Sequence, residues 1–268
     1  MEFASQHRIA RRRTVTLAVL GGVLFTLLAA GGAGARTDTR TSTHVTGITV
    51  YAAASLTDVF PKIDSGPRYS FGASSTLAAQ ITQGAPADVF ASANTTIPAQ
   101  LFAKGLVRKP VVFTRNRLVL VVPTSNPAGI RTVYDLRKKG VKLVVAAPAV
   151  PVGSYTLQVL KQMGLTSVLA NVVSRESDVR SVLSKVAMGE ADAGFVYSTD
   201  VKTVRGKVRV FKIPAWAQPK VTYGMAVVSS SSNKAAAQRF IKEVLSKAGQ
   251  KKLFAAGFVP IPKAKSGR

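Results

Sequence analysis

The stretch Ile48-Thr49-Val50-Tyr51-Ala52-Ala53-Ala54-Ser55-Leu56-Thr57-Asp58 decides how the chain is read. Its β-branched, apolar first half has the character of a buried strand. Three alanines follow, then Ser55, with Leu56, Val59, Phe60 and Ile63 at helical spacing behind it. Ser55 is placed as a helix N-cap, and Asp58, three residues on, completes a capping-box pattern. A strand that hands a serine to a helix start builds a small anion site. Free N–H groups and the positive end of the helix dipole converge there, with a hydroxyl among them. Most serine N-caps bind nothing, so the reading depends on other segments reaching the same point.

Working outward, the same unit recurs. Tyr69-Ser70-Phe71 is a short strand, and Gly72-Ala73-Ser74-Ser75-Thr76 opens a helix with Leu77 and Ile81 on its apolar side. Pro61 and the turn Asp64-Ser65-Gly66-Pro67 end the first helix early. Asp88 to Ala91 is a strand, and a short helix lies within Pro127 to Gly140. Lys142 to Ala147 is a buried strand, after which Pro151-Val152-Gly153-Ser154 opens a helix. Val168 to Val173 is the next strand, Ser177-Asp178 caps a helix, and Ala193 to Tyr197 is a strand that ends in a tyrosine. Strands alternating with helices specify an α/β fold with mainly parallel sheets.

Two β-rich runs are longer than the rest: Val111 to Val122, with Arg115-Asn116-Arg117 in its middle, and Lys220 to Val228. Both are read as crossings between two lobes. Residues 47–113 and 226–268 then form lobe one, and 114–225 form lobe two with the return crossing. A small ligand belongs in the interlobe cleft.

Residues 1–35 carry the pattern of a signal peptide: Arg8, Arg11, Arg12 and Arg13, then an apolar run, then Ala33-Gly34-Ala35 as a cleavage site. The expectation is an exported protein, periplasmic or at the cell surface, anchored in the membrane if the leader is retained. Sec and twin-arginine export are both open. Residues 36–46, rich in Thr, Ser and Arg, read as a linker.

Composition narrows the function. The chain has 268 residues and no cysteine. Disulfides, thiolate metal sites, cysteine nucleophiles and a lipid-modified N-terminal cysteine are therefore excluded. The two histidines, His7 and His44, lie in segments read as non-globular, which argues against a histidine-based active site or metal site in the folded part. The formal charge is +25. Without residues 1–35 it is still +22, from 33 basic and 11 acidic residues. The basic residues are scattered, with no aromatic-rich RNA platform, so a solvated basic surface that steers anions is favoured over a nucleic-acid site.

Four strand-to-helix junctions, at Ser55, Ser74, Val152 and Val179, fall two in each lobe, and Tyr197 ends a strand in lobe two. Ligands of α/β sheets sit beyond the carboxyl ends of strands, where these junctions lie. The five positions offer N–H and O–H donors and no carboxylate, which suits a fully ionised oxyanion.

Several segments carry a resemblance: Ala52-Ala53-Ala54-Ser55-Leu56, Ser74-Ser75-Thr76-Leu77-Ala78, Gly84-Ala85-Pro86-Ala87-Asp88-Val89-Phe90, Asp178-Val179-Arg180 and Gly194-Phe195-Val196-Tyr197-Ser198-Thr199-Asp200. In this order they resemble the periplasmic molybdate-binding proteins of ABC transporters, from about Gly47 to Val259. The resemblance implies a two-lobed solute-binding fold of the type II periplasmic class. It also implies molybdate as ligand, with tungstate nearly equivalent, held by hydrogen bonds alone. Ser55 and Ser74 would each give a backbone N–H and a hydroxyl, Val152 and Val179 a backbone N–H, and Tyr197 its phenol. Val152 stands where the family commonly has alanine. The segment between Phe60 and Tyr69 and the loop before Val152 are shorter than usual. No cofactor and no free metal cation is implied. The partner would be a membrane permease, the protein itself is expected as a monomer, and no nucleic-acid partner is expected.

Three competing functions follow from the residues: a receptor for sulfate or another oxyanion, a hydrolase using Ser55 or Ser74, and a basic envelope or nucleic-acid-binding protein. The hydrolase reading lacks a histidine or a clear Ser–Lys pattern.

Overall fold

The computed structural model describes residues 44–261. The segments read as a leader, 1–35, and most of that read as a linker lie outside them. In chain order the strands are β1 (Thr49–Ala53), β2 (Arg68–Gly72), β3 (Val89–Ser92), β4 (Val111–Asn116), β5 (Leu118–Pro123), β6 (Leu143–Ala146), β7 (Val172–Glu176), β8 (Ala193–Tyr197), β9 (Val208–Lys212) and β10 (Val221–Val227). The α-helices are α1 (Phe60–Ile63), α2 (Ser74–Thr82), α3 (Thr96–Ala103), α4 (Pro151–Gln162), α5 (Val179–Ala187), α6 (Lys234–Leu245) and α7 (Lys247–Ala256).

Two five-stranded sheets result, ordered β2-β1-β3-β10-β4 and β7-β6-β8-β5-β9. The two orders are the same topology. In the first sheet β1 pairs in parallel with β2 and β3, and β10 runs antiparallel between β3 and β4. In the second, β6 pairs in parallel with β7 and β8, and β5 runs antiparallel between β8 and β9. Each sheet therefore has four strands in one direction and one against them. The reversed strand is in each case one that arrives from the other half, as a crossing must.

The crossing read as one strand from Val111 to Val122 is broken at Arg117, because the Asn116 side-chain oxygen takes the Arg117 N–H at 2.9 Å. β4 stays with the first sheet and β5 begins the second. The expected boundaries after 113 and 225 thus fall inside β4 and β10, both first-sheet strands. Gln218 secures the second crossing against the first: its side chain accepts from Leu118 N at 2.9 Å and donates to Leu118 O at 3.0 Å.

Four other expectations are corrected. The strand placed at Val168 to Val173 is a 3-10 turn, Thr166–Asn171, and pairing starts only at Val172. The Asn171 amide there donates to the carbonyls of Leu136 and Lys138, which holds the turn out of the sheet. The short helix within Pro127 to Gly140 is a 3-10 turn, Val133–Arg137, closed by a Thr132/Asp135 capping box. Pro61 does not end a helix but sits in the first turn of α1, where its missing N–H costs nothing. Ordered packing begins before Gly47: the Asp64 carboxylate accepts from Val45 N at 2.9 Å and lies 3.0 Å from His44 Nδ1.

The core of the first half is built on small and aromatic residues. Phe60 meets Phe240 edge-on at 5.5 Å and Phe113 at 5.9 Å. Each such buried ring contributes about 1.5–3 kcal/mol by leaving water. Ala237, Phe240 and Val244 form the buried stripe of α6, so the C-terminal helices close the sheet begun by β1. Val259 exchanges both backbone hydrogen bonds with Arg115, fixing the end of the chain to the edge strand β4.

Candidate functional site

The five positions read from the sequence line one small cavity. Ser55 and Ser74 come from the first half, and Val152, Val179 and Tyr197 from the second. Ala53, Ala73 and Ala93 fill the wall between the serines, and their small side chains bring backbone close to the cavity.

Ser55 is not an N-cap. It is the middle residue of a 3-10 turn, Ala54–Leu56, whose carbonyl at Ala54 is taken by Thr57 N at 3.2 Å and Thr57 Oγ1 at 2.7 Å. Thr57 closes the turn, so no capping box forms with Asp58, whose carboxylate pairs with Arg180 instead. The Ser55 hydroxyl lies 2.8 Å from that of Tyr223. Tyr223 Oη in turn accepts from Asn116 Nδ2 at 3.3 Å. The amide is oriented by Arg117 N and the Ser198 hydroxyl, both donating to its oxygen. With its oxygen already accepting from Asn116, a phenol that donates to Ser55 Oγ leaves the serine proton for the cavity.

Ser74 is the first residue of α2, which has no side-chain cap. Its hydroxyl oxygen accepts from Ala93 N at 3.0 Å, so its proton too is available. Val152 is the second residue of α4, after a proline without an N–H, and so supplies the first N–H of that helix. Gly153 lets α4 start hard against the end of β6. A Cβ there would stand 2.1 Å from the Ala147 carbonyl oxygen. Val179 opens α5. The Asp178 carboxylate caps Arg180 N and Ser181 N at 2.7 and 3.0 Å, and leaves Val179 N outside the cap. The valine side chains themselves are core, 1% and 4% exposed. First-turn N–H groups have no acceptor within their own helix and carry the positive end of its dipole.

Tyr197 ends β8 with its ring packed edge-on to Tyr223 at 5.9 Å. Its hydroxyl is the one buried side-chain polar atom among the described residues without a hydrogen-bond partner. Burial, reinforced by Tyr223, Tyr155 and Asp200, pushes its pKa well above the usual tyrosine value. Burial does the same to Tyr223. Both phenols keep their protons.

The cavity thus gathers donors. Asp178 is the one acid on its wall, with both oxygens already accepting. Neither serine meets a base: His44, the only histidine among the described residues, is bound to Asp64. No group of three or more His, Cys, Asp or Glu side chains suited to a metal ion occurs among the described residues.

Tyr223 and Asn116 were not found as site residues from the sequence. The available signal was a tyrosine inside a buried strand, whose hydroxyl has to find a partner.

Residues 48–259 match the family described as bacterial extracellular solute-binding protein. The chain belongs to that family. Among curated members, the molybdate-binding protein ModA of Mycobacterium tuberculosis is 38% identical over 221 residues, covering 79% of this chain and 84% of the relative. Among solved structures, the periplasmic molybdate-binding protein of Azotobacter vinelandii superposes with a TM-score of 0.71 at 24% identity, covering 80% of this chain and all of that one. The sulfate-binding protein SubI of Mycobacterium tuberculosis superposes with a TM-score of 0.72 at 22% identity, covering 81% of this chain and 88% of that one. The two structures share the two-sheet fold. A solute-binding protein captures its ligand without transforming it, in keeping with two serines that have no base.

Proposed function

We propose that this solute-binding protein captures molybdate, with tungstate nearly equivalent, between its two lobes and delivers it to the membrane permease of an ABC transporter. Lobe one is the β1–β4 and β10 sheet with α1–α3, α6 and α7. Lobe two is the β5–β9 sheet with α4 and α5. The ligand accepts from the backbone N–H groups of Ser55, Ser74, Val152 and Val179 and from the hydroxyls of Ser55, Ser74 and Tyr197.

One observation carries the reading: the Tyr197 hydroxyl is buried, protonated and without a partner on the wall of a cavity that both lobes line. A buried unsatisfied donor costs about 1–3 kcal/mol, and an anion in the cavity relieves that cost. Hydrogen bonds to a charged group are worth about 1.5–3 kcal/mol each, so a few of them hold an ion without any bound cation. Because both lobes contribute donors, the ligand favours the closed arrangement differentially. Export, the permease partner and a monomeric state go together with this role.

The 38% identity to a named molybdate-binding protein favours molybdate over sulfate. Sulfate is the second reading, because the fold is shared with a sulfate-binding protein and a donor-only site accepts any fully ionised tetrahedral anion. Selection then rests on cavity size. A protonated phosphate brings a donor where the cavity already presents donors.

The test is thermal unfolding of residues 36–268 with molybdate, tungstate, sulfate or phosphate. A ligand at a hundredfold excess over its Kd stabilises by about 2.7 kcal/mol. Molybdate and tungstate should raise Tm together. A larger shift with sulfate would favour the second reading, and no shift with molybdate or tungstate would defeat the first.

A further inference from the structure

Beside the cavity, a guanidinium joins the two halves. Arg180 follows Val179 in the first turn of α5. Its Nε donates to Asp200 Oδ1 at 2.9 Å, and its Nη2 donates to Asp58 Oδ2 at 2.5 Å. Asp200 belongs to the same half as Arg180, whereas Asp58 lies in the other, three residues after Ser55. Asp200 is fully buried, and its second oxygen accepts from Tyr197 N at 3.2 Å. The cationic side chain is therefore oriented from within its own half by an acid that also holds the backbone of Tyr197.

We propose that Arg180 is a catch: prepositioned by Asp200, it grips Asp58 across the seam and slows release of the bound anion. The Arg180–Asp200 contact survives any movement of one half against the other. The Arg180–Asp58 contact exists only when the halves are closed. It stabilises the closed state alone, as a catch must. It touches no ligand donor directly, yet each of its ends adjoins one: Val179 precedes Arg180, and Asp58 follows the turn that carries Ser55.

The strength is bounded by exposure. The Asp58 side chain is 52% exposed and that of Arg180 25%. The pair lines an open cavity that also presents Lys62, Lys202 and Arg205, so water and neighbouring cations screen it. A pair of this kind contributes at the upper end of the surface range, about 5-fold in a rate or equilibrium.

The effect on anion release rests on the cavity being the molybdate site; the effect on closure does not. Asp58→Asn is the variant of choice, since removing Arg180 would strand a buried acid. Release of isotopically labelled molybdate after dilution should be about 5-fold faster in Asp58→Asn, with association changed less than about 2-fold because capture precedes latching. Asp58→Glu should restore slow release.

Closure is read without ligand. The chain has no cysteine, so Gln83→Cys and Lys161→Cys place spin labels on α2's C-terminal end and on α4, one in each half. Pulsed electron resonance should show longer, broader distances in Asp58→Asn than in the labelled parent. Identical distance distributions, or release from Asp58→Asn at the parental rate, would overturn the catch. If the parent binds no molybdate, the assignment of the ligand fails, while the distance measurement still decides the catch.

Discussion

The hydroxyls of Ser55 and Tyr223, 168 residues apart in sequence, lie 2.8 Å from each other. When the phenol, already accepting from Asn116, donates to Ser55, the serine proton faces the cavity. Tyr223→Phe removes that donation without touching the ligand. The hydrogen bond is worth about 0.5–1.5 kcal/mol, so molybdate affinity should fall about 2- to 13-fold, measured by titration calorimetry. Unchanged affinity would mean that Ser55 orients itself.

Tyr197→Phe should move stability and affinity in opposite directions. Deleting an unsatisfied buried hydroxyl relieves about 1 kcal/mol in the ligand-free protein, a rise of about 2–4 °C in Tm. The same change removes a donor to the anion, so the added stabilisation from molybdate should shrink. A Tm that falls in the ligand-free variant would show that the hydroxyl has a partner in solution.

Gly153 and Val152 separate packing from donation. In Gly153→Ala, the new Cβ would meet the carbonyl oxygens of Ala147 and Ala146 at 2.1 and 2.6 Å, both backbone atoms that cannot swing away. The first turn of α4 must shift and carry Val152 N with it, so both Tm and molybdate affinity should drop. Val152→Ala keeps the N–H. It should cost about 1–2 kcal/mol of stability for the two buried carbons removed, with affinity nearly unchanged.

The pH dependence has a defined sign. Burial, opposed by Arg180, raises the Asp200 pKa from 3.8 to about 6. Between those values the folded protein binds more protons than the unfolded chain, so stability falls as pH rises from about 4 to about 6. Glu176, whose pKa is lowered by Ser174 and Lys185 against the opposing effect of burial, acts the other way. So does Asp135, held at about 2 by the N–H groups of Arg131 and Thr132. Their contributions are present above about pH 4.5 and are lost as pH falls further. Urea unfolding from pH 3.5 to 7.5 should therefore show a maximum at about pH 4 to 4.5 and a decline from there to about pH 6. In Asp200→Asn that decline should disappear.

Much of this architecture was legible because it is local. The strand-to-helix alternation places α2, α4 and α5 at the ends of strands, and Tyr197 at the end of β8, from short-range pattern alone. What could not be read is non-local or turns on one residue. Nothing near Ser55 announces that Thr57 will close a tight turn and leave no capping box. Nothing near Asp58 points to Arg180, 122 residues on, or near Tyr223 to Ser55. The break at Arg117 depends on one amide folding back onto the next peptide, inside a run whose β-character is otherwise continuous. Likewise, the Thr166–Asn171 turn has strand-like composition and is held by an Asn171 amide that reaches a different loop.

That break at Arg117 also governs how the molecule can move. One residue separates β4 from β5, and Gln218 holds the start of β5 at both its backbone polar groups. Such a short link has no slack to stretch. Movement of one half against the other therefore pivots near this link rather than stretching it. Adding a residue beside Arg117 would convert the pivot into a tether, and the donors of the two halves would no longer arrive at the anion in register.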